Sequence, residues 1–308
     1  LENEYDVTIF NRGKHDNPFS GDSRVEHVTG DRTNESDLEH VARQVDPAAV
    51  FDMVAYHPGE VAHATRVFSS TEAYVYVSSG AAYAVEEIPK REDSTDSLDC
   101  TSEQAEADSE GTYGNRKAAG DREVRNAAKR GVNAMSVRPP IVYGPYDYTE
   151  RLDYWLHRVA EYDRIVVPGD GTNLWQRAYV EDVASGLRVV AEDGTPGDWY
   201  NVGDRNAVTL DRMVELMATV LETDVEVVHA SDRELSIVDV ESTDFPLYRE
   251  YPHLLSTAKL AALGWESTPV EKAMQRSAGD YLESERDGRD NAPSREVETR
   301  LLDVLETV

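Results

Sequence analysis

Cysteine is almost absent from this chain of 308 residues, and its single copy, Cys100, excludes an intrachain disulfide and any metal site built from several cysteines. Lysine is nearly as scarce. Lys14, Lys90, Lys117, Lys129, Lys259 and Lys272 are the whole set, so arginine makes up most of the 31 basic residues. Against these stand 60 acidic residues and a formal net charge of -29, which makes nucleic acid and anionic membranes poor partners. No apolar run approaches ~18 residues. No charged, apolar, small-residue signal opens the chain, and a cytoplasmic location is the expectation. The eight histidines, His57, His63 and His157 among them, form no H-x-x-x-H or H-E-x-x-H pair, so no metal is expected.

What is present begins with alternation. The runs YDVTIFN (5–11), RVEHVTGD (24–31), AVFDMVAY (49–56), AYVYVSS (73–79) and NAMSVRPPIVYG (133–144) have β character. Between them, ESDLEHVARQV, GEVAHATRVFSS and YGNRKAAGDREVRNAAKRG carry apolar residues at helical intervals. Strands alternating with helices predict a doubly wound parallel sheet, with any ligand along the edge formed by the strand C-termini. The second half reads as mixed: helices at RLDYWLHRVAEY, VEDVASGLRVVAED and TLDRMVELMATVLE, short strands at WYNVGD and DVEVVHA, and terminal helices at EKAMQRSAGDYLES and REVETRLLDVLET. The acidic, aperiodic stretch 86–111 reads as a solvated loop beside the site. A surface this acidic and lysine-poor resembles proteins of salt-loving organisms, where concentrated salt screens self-repulsion.

A further absence concerns phosphate binding. Neither G-x-G-x-x-G nor G-x-x-G-x-x-G occurs, although a doubly wound nucleotide fold ordinarily opens with a strand running into such a turn. The expectation is that the chain starts inside the first helix, with roughly twenty residues upstream that hold the central strand.

Chemistry concentrates at Tyr113 and Lys117. Four positions apart on a helix, they share a face, and an ammonium beside a phenol favours the phenolate. Upstream, YVYVSSGAAYA ends a strand in Ser78 and Ser79; downstream, SVRPPIVYGP is a strand with a rigid exit. Together with PGDGTNLWQRAYVEDVASG, YNVGDRNAVTLDRMVELM and STAKLAALGW, these segments resemble the extended short-chain dehydrogenase/reductase family, the NAD-dependent epimerases and dehydratases, over about residues 5–285.

The resemblance implies a Rossmann-type dinucleotide-binding part at 1–145, with 174–200 packing back onto it. A smaller mixed α/β substrate-binding part would take 146–173 and 201–285, and a helical tail 286–308. Tyr113 would be the general acid/base, and Lys117 would lower its pKa and bond the nicotinamide ribose. Ser79 would align the substrate oxygen, or else serve as a turn hydroxyl, with Ser78 structural. Pro139 and Pro140 would meet the nicotinamide or simply stiffen the strand exit. At the end of the second strand of such a fold, Asn11 and Arg12 stand where an acid selects NAD. Arg12 could pair with a 2′-phosphate, stack on adenine or remain solvated, and NADP is slightly preferred over NAD. Asp31 would read the adenine edge or form a turn.

Departures from the family pattern bear on the substrate. Gly80 and Ala81 follow Ser79 where the 4,6-dehydratases place Asp-Glu, which disfavours dehydration and leaves epimerase or reductase action on a sugar or sugar-nucleotide-like hydroxyl or carbonyl. Trp175 stands where many nucleotide-sugar enzymes place a diphosphate-clamping arginine, with Arg177 two residues later. Arg151 and Tyr154 are candidate replacements, or a helix start capped by Thr149. Relatives pair through helices flanking the sheet, so a homodimer is expected. The alternative is a non-catalytic NAD(P)-binding regulatory or RNA-associated protein on the same fold.

Overall fold

Runs rich in β-branched and aromatic residues form strands, and amphipathic runs between them form helices, throughout residues 5–14 and 17–306, which the computed structural model describes. Two units divide the chain. The first comprises residues up to Ser78 with Leu98–Val137 and Val190–Trp199; the second comprises Ser79–Ser97, Arg138–Val189 and the residues from Tyr200 onward.

The first unit contains β1 (Val7–Asn11), β2 (Val25–Thr29), α1 (Glu35–Val45), β3 (Ala49–Asp52), α2 (Pro58–Val67), β4 (Ala73–Val77), α3 (Ser102–Glu106), α4 (Tyr113–Lys129) and most of β5 (Ala134–Arg138). Its strands pair in parallel, with Val7 opposite Val25, Ala49 opposite Ala73 and Tyr74 opposite Ala134. Among the described residues no strand joins β1 to β3, so β1–β2 and β3–β4–β5 are separate hydrogen-bonded groups. Asn34 caps α1 by accepting the Ser36 amide at 3.0 Å, and left-handed Asp46 ends it. Pro58 opens α2, where the Glu60 carboxylate accepts the Tyr56 and His57 amides at 2.8 and 3.1 Å. Helix α4 lies against α2 and β4. Its inner stripe of Ala118, Ala119, Gly120, Val124 and Ala127 is small enough to bring the backbone close to the sheet. Leu38, Val41, Val61, Phe68, Tyr74 and Tyr76 complete this core.

The second unit contains β6 (Ile141–Tyr143), α5 (Arg151–Glu161), β7 (Arg164–Pro168), β8 (Arg177–Tyr179), most of α6 (Val180–Asp193), part of β9 (Trp199–Asn201), α7 (Leu210–Leu221), β10 (Glu226–Ala230), α8 (Asp232–Leu235), α9 (Ala258–Ala261), α10 (Val270–Leu282) and α11 (Arg295–Leu305). Strands β6 and β8 are parallel, as are β7 and β10. Helices α5, α7 and α10 enclose a core centred on Trp155, whose indole N–H donates to the Pro246 carbonyl at 2.7 Å. The buried Arg158–Glu298 pair is satisfied further by the Val166 amide and the Pro293 carbonyl, which offsets the cost of dehydrating both charges.

Two expectations about local structure are corrected. The run 133–144 is not one strand: β5 stops at Arg138 and β6 resumes at Ile141, because Pro139 and Pro140 lack the N–H that a ladder needs. The stretch 86–111 is not simply solvated. Lys90, Glu92 and Thr95 are buried; the Lys90 amide donates to the Leu254 carbonyl, and Glu92 accepts the Asn201 amide.

Candidate functional site

Tyr113 is the first residue of α4, and Lys117 follows one turn later on the same side. The Lys117 ammonium is 2% exposed and lies 5.7 Å from the centre of the Tyr113 ring, with the Tyr76 and Tyr56 rings at 4.9 and 5.3 Å. Two of its protons go to the Ala55 and Val77 carbonyls at 2.9 and 2.8 Å, which leaves one for another acceptor. Burial pulls its pKa down to about 8, although Asp52, Asp121 and Glu60 favour the charged form. Ser78 lies against the next turn of this helix, its hydroxyl donating to Asp121 at 2.9 Å.

Tyr113 also lines a cleft of about 550 Å³ with Tyr56, His57, Glu60, Asp108, Glu110 and Arg116. The His57 ring nitrogens face the Ala105 carbonyl at 2.9 Å and the Asp108 carboxylate at 3.0 Å, which holds the loop after α3 against the start of α2. Arg116 donates to the Ser109 carbonyl at 3.1 Å, securing the same loop. Behind the cleft, Arg32 pairs with Asp52 and Glu60, and the Tyr74 hydroxyl donates to Asp52 at 2.6 Å. None of Tyr56, His57, Glu60, Arg32 or Arg116 stands out in the sequence. The Pro58 helix start and the Arg beside Asp31 are the only signals there.

The residues expected near the adenine end lie at the C-terminal ends of β1 and β2. Asn11 accepts the Gly13 amide at 2.8 Å and faces His27 at 2.9 Å, and Arg12 is exposed. Asp31 accepts the amide and hydroxyl of Thr33 at 2.9 and 2.7 Å, bonds that hold its carboxyl below the usual range. These bonds close a local Asx turn at the end of β2.

In the second unit Ser79 is buried, and its hydroxyl accepts the Ala81 amide at 3.1 Å, capping the short turn Gly80–Ala82. The Pro139 carbonyl accepts the Gly80 amide at 2.8 Å. Pro140 is half-buried beside it in the chain. Arg151 begins α5 and donates to Thr149 at 3.0 Å; Glu150, not Thr149, occupies the cap position. Two candidates for substrate contact are corrected. Tyr154 is 0% exposed, packed under the Arg158 guanidinium at 3.5 Å and edge-on to Trp155, because α5 turns that face into the core. Arg177 is 2% exposed and donates to the Val208 and Leu247 carbonyls, and burial draws its pKa down to about 10. Trp175 is half-buried and bridges to His253.

Donors and acceptors around Tyr113 and Lys117 fit the ribose and nicotinamide end of a dinucleotide: a phenol, one uncommitted ammonium proton and an adjoining cleft. No glycine-rich strand-to-helix turn for the phosphates occurs among the described residues.

A parallel α/β unit with a Tyr-x-x-x-Lys helix beside its cleft places the protein in the Rossmann-type dinucleotide-binding class. The chain belongs to the NAD dependent epimerase/dehydratase family, whose profile matches residues 1–203. Among curated proteins it is 25% identical over 278 residues to the chloroplast stem-loop binding protein of 41 kDa b of Arabidopsis thaliana, covering 85% of this chain and 68% of that protein. Among solved structures it resembles the dTDP-glucose 4,6-dehydratase of Bacillus anthracis in complex with NAD. There the TM-score is 0.70 at 20% identity, over 97% of this chain and 92% of that one. The UDP-glucose 4-epimerase of Thermotoga maritima with UDP-glucose gives 0.71 at 16% identity, over 92% of each chain. At these identities the structural likeness carries the fold.

Proposed function

We propose that the protein is an NAD(P)-dependent oxidoreductase that acts as an epimerase or reductase on a hydroxyl or carbonyl of a sugar or sugar-nucleotide-like substrate. The observation that carries this reading is the buried Lys117 ammonium held one helix turn from Tyr113, whose ring borders a cleft. A bound nicotinamide supplies hydride exchange at its C4. Tyr113 manages the proton: its phenolate oxygen takes the hydroxyl proton as the carbinol is oxidised and returns it when the carbonyl is reduced. Lys117 stabilises that phenolate and offers its remaining proton to the ribose. Ser79 takes the part of the hydroxyl that holds the substrate oxygen.

Gly80 and Ala81, which bring no acid or base after Ser79, favour epimerase or reductase chemistry over elimination of water. Exposed Arg12 at the end of β1, with no carboxylate beside it in the sequence, favours NADP. The reading includes a cytoplasmic homodimer paired through the helices that flank the sheet.

Replacing Tyr113 by Phe tests the reading. Turnover with a sugar-nucleotide substrate should fall about 10²- to 10⁴-fold while the dissociation constant for NADP changes less than about twofold. Unchanged turnover would remove Tyr113 from the chemistry. A second reading, RNA binding, is favoured by the name of the Arabidopsis relative and opposed by the net charge of -29. Filter binding of a labelled RNA stem-loop distinguishes it: retention that weakens as salt rises and ignores Tyr113→Phe would favour the RNA reading.

A further inference from the structure

Tyr76 is a core residue by burial, yet its ring faces the Lys117 ammonium. It stands on β4 with Asp52 of β3 and Ser136 of β5 opposite it in the ladder. The residue is 1% exposed, and the centre of its ring lies 4.9 Å from the Lys117 Nζ. Of the three rings around that nitrogen it is the nearest and the one that is buried, since Tyr56 is exposed and Tyr113 half-buried.

Two contacts fix the far end of the ring. Its hydroxyl donates to the Ala55 carbonyl at 3.4 Å, the same carbonyl that accepts a proton from Lys117. On α4, Gly120 leaves room for that hydroxyl, because a Cβ there would lie 2.6 Å from it. Burial, followed by the charge of Asp121, pushes the Tyr76 phenol well above its ordinary range, so the ring stays neutral.

An ammonium stripped of water needs something in place of its hydration. Lys117 gives two protons to the Ala55 and Val77 carbonyls, neither of them charged. Asp52 on β3, Glu60 on α2 and Asp121 on α4 favour the charged form without hydrogen-bonding it, and Arg116 on α4 opposes it. The negative face of an aromatic ring attracts a cation at contact range, and the attraction strengthens where water is excluded.

We propose that Tyr76 is a positioning residue for Lys117, its ring face standing in for water so that the ammonium stays charged and seated one helix turn from Tyr113. Its effect on turnover rests on the oxidoreductase reading above, whereas its effect on the lysine does not.

The test uses the full chain with ¹³C-labelled lysine, which places only six side chains in the spectrum; Lys117 is assigned by its loss in Lys117→Met. Following the Cε shift against pH gives the Lys117 midpoint, about 8 in the wild type. Tyr76→Phe keeps the ring and should leave that midpoint close to the wild-type value. Ring-trifluorinated phenylalanine in its place keeps the shape but withdraws charge from the face, and it should lower the midpoint by about one unit. Equal midpoints in all three proteins would overturn the inference. A fall of the same size in Tyr76→Phe would also overturn it, by assigning the effect to the hydroxyl and not to the ring. The titration needs neither cofactor nor substrate, so its outcome stands apart from the Tyr113→Phe test of the oxidoreductase reading. Where turnover is measured, its alkaline limit should move down with the lysine midpoint, and a limit that stays in place while the midpoint moves would overturn the positioning role.

Discussion

A lysine ammonium with two backbone carbonyls and three aromatic rings around it is stabilised in ways that water does not provide, yet it has lost its hydration. For Lys117 the loss of hydration prevails, and the pKa falls from the ordinary 10.5 to about 8. A lysine whose folded pKa is lowered contributes stability that is present above its unfolded pKa and lost as pH falls through the folded one. The window is therefore pH 8 to 10.5. Across it, the difference in unfolding free energy between the wild type and Lys117→Met should grow with pH in favour of the wild type, by about 3 kcal/mol. Urea unfolding of both proteins at several pH values measures this directly. Parallel pH profiles would mean that the ammonium is as well solvated in the fold as in the open chain. The same balance bears on chemistry, because deprotonating Lys117 removes the charge that favours the Tyr113 phenolate. Activity limited by that charge should fall as pH rises above about 8.

At the scale of elements, the closeness of α4 to β4 depends on Gly120. A Cβ there would come within 2.6 to 2.8 Å of the Tyr76 hydroxyl and ring, and Tyr76 is buried. Gly279 in α10 is the natural control, since nothing lies within 4 Å of a Cβ at that position. Alanine raises helix propensity by about 1 kcal/mol at either site, whereas overpacking costs roughly 1–3 kcal/mol and applies only at Gly120. Gly279→Ala should therefore raise the unfolding midpoint and Gly120→Ala should lower it. Equal effects would show that α4 can move away from the sheet without penalty. Elements of this kind are the most legible part of the sequence: α1 and α6 match their apolar periodicity, and the Tyr113–Lys117 face follows from helical spacing alone. Strand β7 is short, both its faces are mostly buried, and it offers no alternation to read. Tyr154 and Arg177 look like surface recognition residues by type, but the direction a polar side chain faces is set by tertiary packing.

For the whole molecule, the dominant unspent interaction is repulsion. The described ion pairs on the surface, such as Arg24–Asp22 and Arg212–Glu215, are open to solvent and screened by it, so each contributes little. They cannot neutralise a net charge of -29. At about 0.1 M salt the screening length is about 10 Å, so neighbouring carboxylates still repel; at about 1 M it is about 3 Å, shorter than most of their separations. Potassium chloride should therefore stabilise the fold, raising the thermal midpoint by at least about 3 °C between these concentrations, which corresponds to about 1 kcal/mol for a chain of this size. The buried Arg158–Glu298 pair lies outside the reach of mobile ions and should contribute little to the change. Replacing exposed acids with neutral residues supplies the complementary arm. Substituting Glu103, Asp108 and Glu110 together by Gln, Asn and Gln should flatten the salt dependence, because part of the repulsion has been removed. A thermal midpoint that is flat or falling with potassium chloride in the wild type would mean that self-repulsion is not what limits the folded state.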